Sequence, residues 1–485
     1  MLAGGQPWCG VAEQFVSARL FAMSQRVYIV GIGGIGTSSL AVILSGTGSI
    51  ISGLEPSRTT LASEMLSRHP GIAVHQRFSA DQLDGIDWVV HTTAVKASHP
   101  ALVEARRRGI PVASYPQALG QFLANTDVCG VAGTHGKTTT TAMIAACFER
   151  AGPPIGYLIG APLHGIRANA RFAQGRPFVL EADEYRGAFL EYAHRFSTLV
   201  ITNVDFDHPD YYPSQDAVEK AFQELVAHTP RGARIFGCGD SAGVRAVARV
   251  RGRVETYGTG DGCAYRVQVE SVTQRGSRFR ISGLDPEPVT LELALPGQHN
   301  IRNATAAFLA ARAMGCDSRQ AAAALRGYVG ARRRFDVRLD AARVAVVDDY
   351  AHHPVAVGCF VDGLRQRYPD RRLALVFQPH TLTRTQALFD EFAEVLTRPE
   401  ATVVLDVYAA REVDSSPEPR LLAARLRRAV TARGGHVLDV SDPAAVVDAV
   451  GALVGAGPVV IGTVGAGDVW ATVTQPLVEL LGRAP

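Results

Sequence analysis

The chain has 485 residues, 47% of them apolar and 20% charged, with a net charge of +3 from 49 basic and 46 acidic side chains. That balance suits core-forming domains of ordinary size and excludes a disordered chain or a polyanion-coating protein. No apolar stretch reaches the roughly 18 residues of a membrane span, and the first 25 residues lack the basic start and apolar block of an export signal. Neither a membrane nor a nucleic acid is therefore expected as a partner. The seven cysteines are odd in number and form no C-x-x-C pair, which argues against a disulfide framework or zinc knuckle and for a reducing cytoplasm.

Residues 1–25 show no period and read as an N-terminal extension, dispensable up to residue 22. From Val27 the pattern is strand, glycine turn, helix, strand (VYIVGIG, GTSSLAVILSG, SIISG), continued by IDWVVHTT and IPVAS, a parallel α/β domain over 26–126. A second α/β region, 127–330, opens with DVCGVAG and the helix KTTTTAMIAACFERAG. It continues through the buried-type strands PFVLEAD and TLVITNV, a helix from Gln215 to His228, antiparallel segments between Tyr265 and Leu295, and a helix near His299. The charged, glycine-bearing segment 327–338 marks the second boundary. Residues 331–485 repeat the alternation with RVAVVDDY, RRLALVFQ, ATVVLDVY and PVVIGTV, so three α/β domains in series are predicted.

Chemistry-bearing residues cluster at predicted strand ends. Gly31, Gly33, Gly34 and Gly36 form a G-x-G-x-x-G turn between strand and helix, with Glu55 ending the next strand. Bare glycines let amides approach a diphosphate and the acid can accept ribose hydroxyls, but the motif does not separate NAD from a UDP-sugar. A tight structural turn is the bland alternative. The run Gly133-Thr134-His135-Gly136-Lys137-Thr138-Thr139 is a sharper, P-loop-type signal, with Lys137 placed for β/γ-phosphate oxygens and Thr138 for magnesium. Val131 departs from the general pattern. Only three of the 49 basic residues are lysines, which adds weight to Lys137.

Glu181, Asp183 and Glu184 end one strand, and Asp205, Asp207 and His208 end another; together they could hold a divalent metal, or singly serve as caps and solvated acids. His299, Asn300 and Asn303 open a helix as an adenine-side or capping cluster. Arg333 and Arg334 are either mobile cations for a transferring phosphoryl group or a solvated linker. Tyr350, His352, His380 and Arg384 follow strands of the last domain and could bind a carboxylate and guide an amine, although such histidines are often merely packed.

In order and spacing, GIGGIG, GTHGKTTTT, EADE, TNVDFDH, GQHNIRNA, RRRF, DDYAHHP, FQPHTLTRT, DVYAARE and GAGD resemble the Mur ligases over about residues 26–470. Within that family the pattern is most similar to the branch that joins L-alanine to UDP-N-acetylmuramate in peptidoglycan synthesis. The resemblance implies a Rossmann-like N-terminal domain for the UDP-sugar, a central ATPase and a Rossmann-like C-terminal domain for the amino acid. It implies ATP with two magnesium sites, manganese able to substitute, and an acyl-phosphate intermediate that the amine displaces. Residue by residue, it implies Lys137 in the phosphate loop, Thr138 and Glu184 on the ATP magnesium, and His208 on a second metal ion. His299 and Asn300 would face adenine, Arg334 or Arg333 the phosphates, and His352 and Arg384 the amino acid.

The sequence departs from that branch at Thr37-Ser38-Ser39, Ala351, Val355-Ala356, Thr381 and Pro209. Ala351 also resembles the sister branch that ligates a murein tripeptide. The position where other branches carry a modified lysine is Gln223, so no modification is assigned. Two other classes stay open at this point, a nicotinamide-dependent oxidoreductase and a P-loop switch. The first leaves Lys137, Glu184 and His208 unexplained, and the second requires a macromolecular partner.

Overall fold

The computed structural model describes residues 24–482 apart from 58–60, 152–153, 165–167, 285–286, 411 and 413–417. The expected N-terminal extension therefore lies outside the described residues up to position 23, while Gln25 already accepts a hydrogen bond from the Ile50 amide beside the first strand.

Three sheets follow one another along the chain. The first has the spatial order Ala73–His75, Ile50–Leu54, Arg26–Val30, Trp88–His91, Val112–Ser114, all parallel. Its central strand reads as a continuous apolar run because helices cover both faces; Val27, Tyr28 and Ile29 are fully buried. The short strand Ala73–His75 carries no signal of its own in the sequence, since neither length nor alternation marks it.

The central sheet has ten strands. Six parallel ones form its middle, in the order Glu255–Gly258, Arg234–Cys238, Phe196–Ile201, Val128–Ala132, Phe178–Glu181, Gly156–Leu158. One side is extended by Tyr265–Thr273, parallel to Glu255–Gly258, then by Gly276–Ser282 and Val289–Leu293, each antiparallel to the strand before it, as the alternating sequence there predicts. The other edge is extended by the short antiparallel strand Ala170–Arg171, the tenth among the described residues. The third sheet has the order Asp336–Asp340, Val344–Asp349, Val459–Val464, Arg372–Phe377, Ala401–Val404, parallel except for its first strand. The α/β architecture in three units is thus as predicted.

Specific polar contacts join the units. Asn169 of the central unit donates to the Ser39 hydroxyl of the first at 2.8 Å. The amide of Gly297 donates to the Gln366 side chain of the third unit at 2.7 Å, and Gln366 donates back to the Thr273 carbonyl at 3.0 Å. The linker is tied as well, with the Arg332 amide on the Pro162 carbonyl at 2.9 Å.

The strand that leads into the phosphate loop packs without slack. A Cβ on Gly130 would lie 2.5 Å from Cζ of Phe196, whose side chain is fully buried. Gly130→Ala is therefore expected to destabilise the central domain by about 1–3 kcal/mol. In a Phe196→Leu background the added methyl should cost clearly less. Urea unfolding of the wild type, both single variants and the double variant checks this, and an equal cost in both backgrounds would refute it.

Candidate active site

Strand Val128–Ala132 turns through residues 133–136 into the helix Lys137–Ala151. Two glycines make that turn possible. Gly133 has φ +134° and faces the Thr202 hydroxyl where a Cβ would stand; Gly136 has φ +81°, and a Cβ there would lie 2.6 Å from Oδ1 of Asn303. Asn303 donates to Asn300 at 3.2 Å, and Asn300 to the Pro296 carbonyl at 2.7 Å, so the start of the helix Gln298–Ala313 is locked against the loop. The His299 ring covers Gly297. Burial, aided by the Arg302 charge, lowers its pKa to about 4 and keeps it neutral.

Lys137 Nζ lies 2.7 and 3.0 Å from the two oxygens of Glu184 and also donates to the carbonyls of Gly133 (2.6 Å) and Thr134 (3.2 Å). Burial alone would lower the pKa of the ammonium, but the Glu184 and Asp183 carboxylates outweigh it and the pKa is raised. Burial pushes Glu184 the other way, and the charges of Lys137 and His208 hold it below the usual carboxylate range. The pair is therefore ionised. His208, with φ +55°, places Nε2 3.7 Å from Glu184 and its ring 4.7 Å from that of Tyr185.

Thr138 is engaged elsewhere. Its hydroxyl donates to Oε1 of Glu181 at 2.8 Å and accepts from Nη2 of Arg334 at 2.9 Å, while the other Glu181 oxygen takes the Gly160 amide at 2.6 Å. The carboxylate beside Thr138 is thus Glu181, not the expected Glu184. Sheet register was the available signal: Glu181 is the last residue of its strand and pairs directly with Val131, on the strand that feeds the loop.

The two arginines of the linker separate. Arg334 crosses from the third unit to Thr138 and lines the cleft. Arg333 does not. Only 7% exposed, it donates to Asp348 (3.1 Å) and to the carbonyls of Gly465 (2.6 Å) and Gly467 (3.4 Å), an internal brace of the third unit. Its expected place at the phosphates is corrected on that ground. The Tyr350 ring stands between the two guanidinium groups, 5.0 Å from Arg333 and 4.9 Å from Arg334.

His352 pairs through Nδ1 with the Tyr350 carbonyl at 2.9 Å, and burial together with the Arg384 charge holds its pKa well below the usual histidine value. Arg384 is 4% exposed, with Nε 2.6 Å from Asp207 of the central unit and Nη1 3.2 Å from Nδ1 of His380. Thr381, where the resemblance expects arginine, has φ +65° and caps the helix Leu382–Ala387 by accepting from the Arg384 amide at 3.4 Å. The tilted rings of His135 and His353, with centroids 4.6 Å apart, meet across the same seam between units.

In the first unit the side chain of Glu55 folds over the glycine turn and accepts from the Gly33 amide at 3.1 Å. Gly31 presses on Thr92, and Gly36 packs where a Cβ would meet Tyr115 at 2.9 Å. Thr37, a departure from the family pattern, ties the turn, because its hydroxyl donates to the Gly31 carbonyl at 2.6 Å. One cleft of about 1300 Å³ connects these parts. Gly34, Gly36, Thr134 to Thr139, Glu181, Glu184, His208, His299, Asn300, Asn303, Arg334, Tyr350, His352 and Arg384 line it, and Gly31, Gly33 and Glu55 are not among its lining residues.

Among the described residues no group of three His, Cys, Asp or Glu side chains forms a ready-made metal cage. Magnesium carried by phosphates does not need one, because it keeps waters and takes one or two carboxylates. The oxygens of Thr138 and Glu181 on one side, and Glu184 with His208 on the other, fit such a partial set.

The chain matches three family descriptions in series: Mur ligase family, catalytic domain, over residues 26–126; Mur ligase middle domain over 131–311; and Mur ligase, glutamate ligase domain, over 333–467. It is 39% identical over 468 residues to the UDP-N-acetylmuramate–L-alanine ligase of Kineococcus radiotolerans, covering 94% of this chain and 96% of that one. The enzyme of the same name from Paenarthrobacter aurescens is 37% identical, with 94% and 97% covered. In fold, the chain resembles the UDP-N-acetylmuramate-alanine ligase of Thermotoga maritima, with a TM-score of 0.75, 24% identity, and 94% and 99% covered. With catalytic, middle and terminal ligase domains matched in order and such identity sustained over nearly its whole length, this chain belongs to the Mur ligase family.

Proposed function

We propose that this protein joins L-alanine to the carboxylate of UDP-N-acetylmuramate at the expense of ATP, in the cytoplasm, as a step of peptidoglycan synthesis. The observation that carries the reading is the single cleft in which the phosphate loop, Arg334 and the His352–Arg384 cluster face one another across three units. Full-length similarity to relatives named as alanine ligases supports this substrate over the murein tripeptide. The unit boundaries are taken at 126/127 and 330/331.

The reaction has two halves. The muramate carboxylate oxygen attacks the γ-phosphorus of ATP, the bond to ADP breaks, and a mixed anhydride forms. The neutral amine of alanine then attacks the acyl carbon, inorganic phosphate leaves, and the ammonium proton is lost to solvent or a neighbouring base. Charge on the transferring phosphoryl oxygens is what the site must neutralise. Lys137 meets that need by exchanging Glu184 for phosphate oxygens, and Arg334 by reaching over from the third unit.

Magnesium would be held by Thr138 with Glu181, and by Glu184 with His208, and would supply charge neutralisation on the phosphates. The glycine turn and Tyr115 are assigned to the UDP-sugar, and Asn300 with His299 to adenine. On the amine side, Arg384 has Nε and Nη1 already engaged. It can therefore offer an α-carboxylate Nη2.

ADP release with UDP-N-acetylmuramate and a panel of amines, followed by the mass of the product, tests the reading. L-alanine should be preferred, glycine and L-serine slower, since one methyl is worth only about 1–3 kcal/mol in such a pocket. In competition with L-Ala-γ-D-Glu-meso-diaminopimelate the product should carry alanine; mainly tripeptide product would overturn the substrate assignment.

Lys137→Arg should lower turnover by about 10²–10³-fold with charge retained, because a wide planar fork does not fit where a compact ammonium contacts two backbone carbonyls and a carboxylate. Turnover at the wild-type rate would remove the phosphate-loop assignment. Glu181→Gln and His208→Ala should each raise the magnesium needed for half-maximal ADP release about tenfold or more. Glu184→Gln should in addition lower the melting temperature, since it leaves the Lys137 ammonium without its partner. Identical magnesium titrations in wild type, Glu181→Gln and His208→Ala would mean that these groups only pack.

A further inference from the structure

Asp207 stands next to His208 in sequence, and its Oδ2 lies 3.9 Å from Nε2 of His208. Its side chain, 4% exposed, turns toward the third unit, where Oδ1 accepts from Nε of Arg384 at 2.6 Å. The same oxygen accepts from the backbone amide of His208 at 2.7 Å. One carboxylate oxygen therefore ties the residue assigned to the phosphoryl side to the residue assigned to the amino acid. The loop around it is docked a second time, because Nε2 of His353 pairs with the Phe206 carbonyl at 3.0 Å.

The geometry of Arg384 makes the tie consequential. Nη1 is held by Nδ1 (3.2 Å) and the carbonyl (3.3 Å) of His380, and Nε by Asp207. Nη2 makes no hydrogen bond among the described residues, in a side chain that lines the cleft. A guanidinium fixed along two edges presents its third donor in one direction only. A buried arginine is costly without a counter-charge, and Asp207 is the acidic side chain within ion-pair distance of it among the described residues.

We propose that Asp207 is a positioning residue: it orients Arg384 so that Nη2 meets the amino acid's carboxylate, and by holding the His208 amide it keeps the amine side in register with the acyl phosphate. This rests on the assignment of Arg384 to the amino acid. Asp207 touches neither substrate; it acts through the groups it holds. The uncharged amide of Asp207→Asn can still accept from the His208 amide but no longer matches the arginine's charge.

Steady-state kinetics of Asp207→Asn, Asp207→Glu, Arg384→Ala and the Asp207→Asn/Arg384→Ala double variant test the proposal. Alongside them, hydroxylamine captures the acyl phosphate formed from UDP-N-acetylmuramate and ATP without alanine. Asp207→Asn is expected to raise the KM for L-alanine about tenfold or more. The KM for ATP and the yield of hydroxamate should stay within about threefold of wild type. Asp207→Glu should recover part of the loss, and the asparagine change should add little once Arg384 is alanine. An unchanged alanine KM, equal losses in alanine KM and hydroxamate yield, or additive effects in the double variant would each overturn the proposal. A wild-type chain that releases no ADP with both substrates would overturn the ligase reading itself, and the role of Asp207 with it.

Discussion

A lysine ammonium held among carbonyls inside a protein needs a counter-charge, and Lys137 takes it from Glu184. Much of the site follows from that pair. Glu184 cannot approach Thr138 while it serves Lys137, so Glu181, one strand-end position away from the loop's own strand, takes the threonine hydroxyl. His208 comes to the outer side of Glu184. On the proposed function, the Glu184 carboxylate fills the place that phosphate oxygens would take, and nucleotide entry would exchange one set of oxygens for another around the same ammonium.

The second constraint is that the charged groups of the cleft come from different units. Arg334 reaches Thr138 from the third unit, and Arg384 reaches Asp207 in the central one. The Arg384–Asp207 pair is not strong evidence of stability, since removing two ions from water costs about as much as their attraction returns, and the Arg334–Thr138 contact is a single hydrogen bond to a hydroxyl. Their value lies in register: an ion pair with well-aimed hydrogen bonds permits one docking of the two surfaces, where an apolar seam would permit several. The rings of His135 and His353 pack against each other across the same seam.

The first unit is joined to the central one by a shared apolar core, in which Leu40, Leu44 and Leu119 pack in one cluster with Leu158, Phe178 and Tyr192, and by Asn169 on Ser39. Its glycine turn is held from within, by Glu55 on the Gly33 amide and Thr37 on the Gly31 carbonyl. The six cysteines among the described residues are free, consistent with a fold stabilised by packed sheets rather than cross-links.

Sequence alone determined the elements and the loop. Short apolar runs rich in valine and isoleucine and bounded by glycine turns read as strands covered on both faces, and a glycine-bracketed lysine between such a strand and a helix reads as a phosphate loop. These are local constraints, written in periodicity and in backbone angles that only glycine adopts easily. What tertiary structure decided was the choice among neighbours: Glu181 or Glu184 beside Thr138, Arg334 or Arg333 toward the phosphates, a free Arg384 or one tied to Asp207. Residues one to three positions apart carry the same chemistry in sequence. They differ only in which strand end, turn and partner unit they meet, and no short-range pattern records a contact between residues 207 and 384 that exists because two separately folded sheets dock.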